Sequence, residues 1–404
     1  MTRHSSSPLR IDRNAAAVGD APADPHPSSA ASPDLARTLG LLREKLESLE
    51  YGTIYRLHCY ELAPRLLPES LQQTLRHAPP RVQALYRLFY FDEPVPRREI
   101  DLLLGAELVR DLLAAGILAL HGASDAVACP YRLEIAGDTW LFTVNLARRS
   151  NVYFGEDSQF LRSMLRPLPG ETCVDLCTGT GIQGLRCAQI ARHVDLVDIQ
   201  PAAVRIAALN VALNGLSDRV SIFEGDLWTP LPPGRRYDYV VCNPPLMPVV
   251  EALEFPVFGH GGHDGLKVVR RILAGLEERL AEDGRCTVIG ACTGDAQRAD
   301  VLALATASLG HGFEGKLFLL LQIPLRDWIR LIAQTVSLYY PEIGLANAVL
   351  RSRTAYGERF DELFVYTYLL KCRRTSAPAT WETIDYSRVG QHSYWFVNRG
   401  TLTQ

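Results

Sequence analysis

Leu35, Leu39, Leu42, Leu46 and Leu49 recur at intervals of three and four, with Ser32-Pro33-Asp34 just ahead of them. That spacing lays one apolar stripe along a helix, and a serine followed by proline supplies its N-cap and first turn. Further helical spacings follow: Val82, Leu85, Leu88 and Phe89, then Ile100, Leu103 and Leu104, then Leu108, Val109, Leu112 and Leu113, stopped near Gly116. Asp92-Glu93-Pro94 breaks the first from the second. Tyr131 to Ile135 and Trp140 to Val144 alternate with period two and read as a hairpin. Three short helices and a hairpin predict a winged-helix-like unit. Such units hold DNA in some proteins and act as packing or substrate-covering modules in enzymes. Here the third helix has only Arg110 as a base, beside Glu107 and Asp111, which makes it a poor reader of a DNA groove.

From about residue 170 the pattern changes. Apolar runs near 172–176, 194–198, 219–223, 238–242 and 285–290 alternate with helical spacings, and two more strands are expected near 316–322 and 362–370. This predicts an α/β fold with a doubly wound, mostly parallel sheet. Residues 1–33, rich in Ser, Ala, Pro and Asp, are expected to be disordered. The expected organisation is that segment, a helical and winged-helix-like domain over 34–150, the α/β domain over 151–372 with a helical insert at about 323–360, and an aromatic tail over 373–404. Trp381, Tyr386, Tyr394, Trp395 and Phe396 make that tail a segment expected to dock on the body.

Composition narrows the function classes. The chain has 404 residues, a hydrophobic fraction of 47% and a net charge of −3, with no basic excess of the kind that phosphate neutralisation requires. No apolar stretch is long enough to span a bilayer, and Met1 to Pro8 is too polar for a secretory leader. Nine cysteines, an odd number without a C-x-x-C pair, read as reduced core residues of a cytoplasmic protein with no metal site.

The chemistry begins at Cys173-Val174-Asp175-Leu176-Cys177-Thr178-Gly179-Thr180-Gly181. A strand runs into a glycine-bearing turn and then a helix. Gly179 and Gly181 let backbone approach a nucleotide-like ligand over the strand's carboxyl end. The next strand ends at Asp198, placed to accept both hydroxyls of a ribose. The third leads to Asp226, which could accept from an exocyclic adenine amine. The fourth ends in Asn243-Pro244-Pro245-Leu246. Prolines lack N–H groups, so this turn offers acceptors without competing donors. The Asn243 oxygen and a loop carbonyl can hold an N–H₂ group with its lone pair aimed at a sulfonium methyl, a gain in orientation.

On these motifs, residues 171–250 resemble class I S-adenosylmethionine-dependent methyltransferases of the small methyltransferase domain type, which have a Rossmann-like fold. That group includes glutamine N-methyltransferases of release factors and a ribosomal protein, and rRNA N-methyltransferases. The likeness extends to Gly261-Gly262-His263-Asp264-Gly265-Leu266, a turn of the glutamine-modifying branch. The stretch holding Glu93-Pro94-Val95-Pro96 resembles the N-terminal half of actinobacterial relatives. The resemblance implies S-adenosylmethionine as cofactor, held by Asp175, Thr178, Gly179, Gly181, Asp198, Asp226 and Asn243, with Asn243, Pro244 and Pro245 at the reacting centre. It also places Tyr153 and Asp157 over the methionine end of the cofactor.

Two positions depart from the family. Cys177 stands where glycine is commonest, and Leu246 where an aromatic ring usually packs on the acceptor. Leu246, the acidic balance and the enlarged region 323–404 favour N-methylation of a small molecule over nucleic acid. A macromolecular N-methyltransferase, acting on an RNA base or a protein glutamine, and a non-catalytic winged-helix regulator remain the alternatives. His260 and His263 read either as a solvated loop pair or as a general base for the acceptor.

Overall fold

Ser32 accepts a hydrogen bond from the Leu35 N–H at 3.2 Å and caps α1 (Pro33–Ser48), whose stripe buries Leu39, Leu42 and Leu46. Such a cap contributes about 1 kcal/mol. The computed structural model describes residues 32–58, 75–122, 125–144, 152–310, 312–340, 342–377 and 380–387. Of residues 1–33, expected to be disordered, 1–31 lie outside the described residues, as do the tail residues Tyr394, Trp395 and Phe396, whereas Ser32 and Pro33 cap and open α1.

After α2 (Tyr51–His58) come α3 (Pro80–Phe89), β1 (Val95–Pro96), α4 (Arg97–Leu104), α5 (Ala106–Ala114), β2 (Ala119–Leu120) and β3 (Ala126–Ala128). The three strands form one small sheet in the order β1-β3-β2. Helix, strand, two helices and a terminal hairpin follow the element order of a winged-helix-like unit, with β2–β3 in the place of the wing. Strands of two and three residues are too short to show an alternation, so the sequence pattern passed over them. The hairpin read from Tyr131 to Val144 is a separate pair, β4 (Arg132–Ala136) and β5 (Thr139–Thr143). All five β5 residues are buried, because the hairpin lies between the N-terminal helices and the α/β domain.

The α/β domain opens with α6 (Glu156–Met164) and continues β6 (Thr172–Leu176), α7 (Ile182–Ala188), β7 (His193–Asp198), α8 (Pro201–Leu213), β8 (Val220–Glu224) and β9 (Tyr237–Cys242). Then come α9 (Lys267–Arg279), β10 (Leu280–Gly294), α10 (Asp300–Leu309) and β11 (Phe313–Pro324). Two helices, α11 (Leu325–Tyr339) and α12 (Gly344–Tyr356), precede β12 (Phe364–Arg374) and β13 (Trp381–Asp385). The sheet order is β13-β11-β12-β10-β9-β6-β7-β8. Only β12 runs against its neighbours, pairing antiparallel with both β10 and β11. The tail from Trp381 adds β13 as an edge strand, parallel to β11.

Alternate residues of the central strands feed two cores. Cys173, Leu196 and Val241 face α7, α8 and α11, while Val174, Val197 and Val240 face α9 and α10. Trp328 of α11 is fully buried, which anchors the insert. The N-terminal core is continuous with the domain behind it, since Leu209, Ala212 and Leu213 of α8 pack into it. No helix among the described residues is long and apolar enough to cross a membrane.

Candidate active site

The strand order reverses between β6 and β9, and a crevice opens at the carboxyl ends of strands at such a point. A cavity of about 650 Å³ occupies it, of a size to hold a small molecule. The glycine loop forms its floor. The Thr178 N–H donates to the Val197 carbonyl at 3.0 Å, and the Gly181 N–H to the Thr178 carbonyl at 2.8 Å. Gly179 and Gly181 take φ of 55° and 85°, the left-handed region that glycine enters without strain. Cys177, the departure from the family pattern, adopts φ 56° beside them and lines the cavity.

Asp175 lies beneath the loop, off the cavity wall. Its Oδ2 accepts from Thr178 Oγ1 at 2.6 Å and from the Gly184 N–H at 2.9 Å. Burial raises its carboxyl to about 7, although both hydrogen bonds favour the anion. Asp175 therefore shapes the loop and makes no wall for a ligand. Cys177, Thr178, Gly179 and Thr180 do line the cavity; Gly181 does not, and a Cβ there would lie 3.5 Å from Ala207 of α8.

Asp198 ends β7 at the wall. Its Oδ1 accepts from the Gln200 N–H at 2.9 Å and its Oδ2 from the Gly179 N–H at 2.8 Å. Each oxygen retains acceptor capacity, so two hydroxyls can still bind. Burial raises this carboxyl against those two bonds. Asp226 also lines the cavity, and Arg271 of α9 reaches it at 2.6 Å.

Asn243, Pro244, Pro245 and Leu246 form the opposite lip. The Asn243 Nδ2 donates to Asp157 Oδ2 at 2.9 Å and to Ser158 Oγ at 3.3 Å. A carboxylate oxygen only accepts, so an ionised Asp157 sets which way the amide faces. Asn243 Oδ1 is left buried without a partner. Asp157 is itself buried; desolvation raises its carboxyl, while bonds from Asn243 and Tyr153 work the other way. The turn at 261–265 braces this lip. Met247 N–H donates to the Gly259 carbonyl at 2.8 Å, and Gly261 N–H to the Met247 carbonyl at 2.9 Å. Gly265, at φ 78°, has no room for a side chain: a Cβ there would lie 2.2 Å from the Ala291 carbonyl oxygen.

The two histidines separate. His260 lines the cavity, but its Nδ1 accepts from the Gly262 N–H at 3.2 Å. The neutral ring then carries its proton on Nε2, which faces Glu251 at 3.9 Å. It offers no lone pair for a general base. His263 lies off the cavity, its ring against Tyr356 at 4.3 Å and its carbonyl accepting from the Tyr356 hydroxyl at 2.7 Å.

Leu246 is 4% exposed and belongs to the core as well as to the wall. Rings reach the cavity from elsewhere. Phe258 stacks on Tyr153 at 5.3 Å, and Tyr339 of α11 meets Phe258 edge-on at 6.1 Å. Sequence reasoning did not single out Phe258, Glu251, Lys267 or Arg271. The apolar run Phe255-Pro256-Val257-Phe258 inside a loop was the available signal.

Part of the chain is similar to known proteins. Residues 150–303 match the family model described as methyltransferase small domain. A ribosomal protein uL3 glutamine methyltransferase of Bradyrhizobium diazoefficiens is 37% identical over 142 residues, 33% of this chain and 44% of that protein. A release factor glutamine methyltransferase of Clostridium acetobutylicum is 38% identical over 122 residues, 27% of this chain and 43% of that protein. Among solved structures, Trm5b from Pyrococcus abyssi aligns with a TM-score of 0.36 at 15% identity, covering 64% of this chain and 62% of that one. The match spans less than half the length of the two glutamine methyltransferases. Residues 150–303 are thus similar to the methyltransferase small domain, a match over 154 of the 404 residues. The expectation of a small-molecule acceptor is corrected: the matching relatives are named for protein substrates, and the aliphatic Leu246 that suggested otherwise is largely a core residue.

Proposed function

We propose that the protein is an N-methyltransferase that modifies the carboxamide nitrogen of a glutamine side chain in a protein. The observation that carries this reading is the buried, unpartnered Asn243 Oδ1 at the cavity, with its amide oriented by Asp157 and Ser158. A buried acceptor left unpaired costs roughly 1–3 kcal/mol, so the site favours a ligand that brings a donor. A carboxamide NH₂ brings two. The names of the glutamine methyltransferase relatives support the same substrate class.

The residues present fit S-adenosylmethionine. Asp198 would hold the ribose hydroxyls and Asp226 the adenine amine, with Gly179 allowing close approach along the loop and Gly181 allowing the loop to pack on α8. When bound, the cofactor supplies a methyl group on a sulfonium sulfur, which keeps the C–S bonding pair and leaves as a neutral thioether. Asn243 and the Pro244 region would orient the acceptor nitrogen so that its lone pair forms the new bond. The nitrogen must give up a proton, and the Asp157 carboxylate, raised by burial, is the base of that wall. Tyr153, Phe258 and Tyr339 enclose the acceptor end and exclude water.

Purified protein added with labelled S-adenosylmethionine to an extract of cells lacking the protein tests this reading. The label is expected in the protein fraction. Label confined to RNA or to small molecules would overturn it.

A further inference from the structure

Two asparagines one helical turn apart, Asn210 and Asn214, grip the free edge of β5. The Phe142 N–H donates to Asn210 Oδ1 at 2.6 Å, and Asn210 Nδ2 donates back to the Phe142 carbonyl at 3.0 Å. Asn214 repeats the pattern on Trp140, accepting at 3.0 Å and donating at 2.7 Å. The match is geometric. Alternate residues of a strand lie about 6.8 Å apart, and positions four apart on a helix rise about 6 Å, so two carboxamides can replace a neighbouring strand.

Asn210 does one thing more. Fully buried, its Nδ2 also donates to the Thr180 carbonyl at 2.8 Å, inside the glycine loop. Thr180 lines the cavity, whereas Asn210, Asn214, Trp140 and Phe142 do not. The hairpin in turn is part of the N-terminal core. Tyr51 donates to the Leu133 carbonyl at 3.0 Å, and its ring lies 6.0 Å from Trp140. Gln189, after α7, donates to Thr139 at 3.1 Å. One chain of contacts therefore joins the N-terminal helices to β5, β5 to Asn210, and Asn210 to the loop.

We infer that Asn210 is a positioning residue through which the docked N-terminal hairpin holds the glycine loop in its cofactor-binding shape. Affinity for the cofactor then depends on the N-terminal domain, and cofactor binding stiffens the hairpin in return, because such coupling is reciprocal. The inference rests on the cofactor and not on the identity of the acceptor.

S-adenosylhomocysteine is the probe, with the full chain, calorimetry and amide hydrogen exchange. In the native protein it should slow exchange at the Phe142 N–H. Asn210→Ala should weaken its binding at least about fivefold and abolish that protection. Asn214→Ala breaks the grip on Trp140 without touching Thr180, and should bind within about twofold of the native protein, well short of a coupling effect. Equal affinity of Asn210→Ala and the native protein, or native exchange at Phe142 that ignores the probe, would overturn the inference. The native exchange measurement decides even if Asn210→Ala does not fold. Failure of the native protein to bind the probe would overturn the cofactor assignment as well.

Discussion

The two walls of the cavity are built by different rules. The wall proposed for the cofactor is polar and local: the glycine loop, Asp198 and Asp226 each sit at or just beyond the carboxyl end of a strand, along one edge of the parallel part of the sheet. The acceptor wall is aromatic and assembled from distant segments, with Tyr153 ahead of α6, Phe258 beyond the Asn243 turn and Tyr339 at the end of α11. Asn243 stands where the two meet, since it follows a strand but is oriented by Asp157 from the acceptor side. A wall fixed by backbone topology serves one invariant ligand. A wall made of side chains from an insert and loops can differ from one relative to the next.

This contrast predicts separable defects. The largest is at the junction. Asn243→Ala should lower turnover roughly 10²–10³-fold, as loss of a single oriented polar group at a reacting centre does, with S-adenosylhomocysteine affinity nearly unchanged. Single-turnover rates beside calorimetry check it, and a parallel loss of affinity would show that the two walls do not divide there. Next is Asp198→Ala, which should weaken the cofactor by about 1.5–3 kcal/mol, roughly tenfold to a hundredfold, with little effect on the acceptor KM. Unchanged cofactor affinity would remove Asp198 from the ribose site. Phe258→Ala should do the converse and raise the acceptor KM several-fold with cofactor affinity intact, since it loses a stacked ring worth roughly 0.5–1.5 kcal/mol. A cofactor defect in that variant would mean that Phe258 lies on the wrong wall.

The smallest effect concerns the loop's foundation. Burial raises the Asp175 carboxyl from 3.8 to about 7 in the folded protein. The folded state therefore holds this proton more tightly than the unfolded chain. The stability this contributes is fully present below about pH 4 and is lost as pH rises through about 7. The neutral Asp175→Asn has no such slope. Its thermal midpoint, subtracted from that of the native protein, should reveal a native decline of a few degrees across this window. Parallel curves would contradict the burial account.

The same division explains what the sequence disclosed. Thr178, Gly179, Asp198 and Asp226, which line the cavity, could be picked out because strand ends, glycines and acids stand in fixed local order, and the central strands appear as apolar runs. The direction of β12 was not legible, since an apolar run reads the same both ways. The wing β2–β3 was too short to leave a period, and the β4–β5 hairpin took its place in the reading. Leu246 looked purely like a wall residue because its neighbours are; the packed structure places it largely in the core and brings the rings of Phe258 and Tyr339 to the cavity. His263 looked like a partner of His260 because three residues separate them, yet the 261–265 turn sends it to Tyr356.

The most direct test of the central claim is peptide mass spectrometry of the labelled protein substrate after reaction with the native chain and with Asn243→Ala. The account predicts one added methyl group on a glutamine side-chain nitrogen, present with the native chain and lost with the variant. Methylation at an oxygen, at a carbon or at a basic side chain, or an unchanged yield with Asn243→Ala, would contradict it.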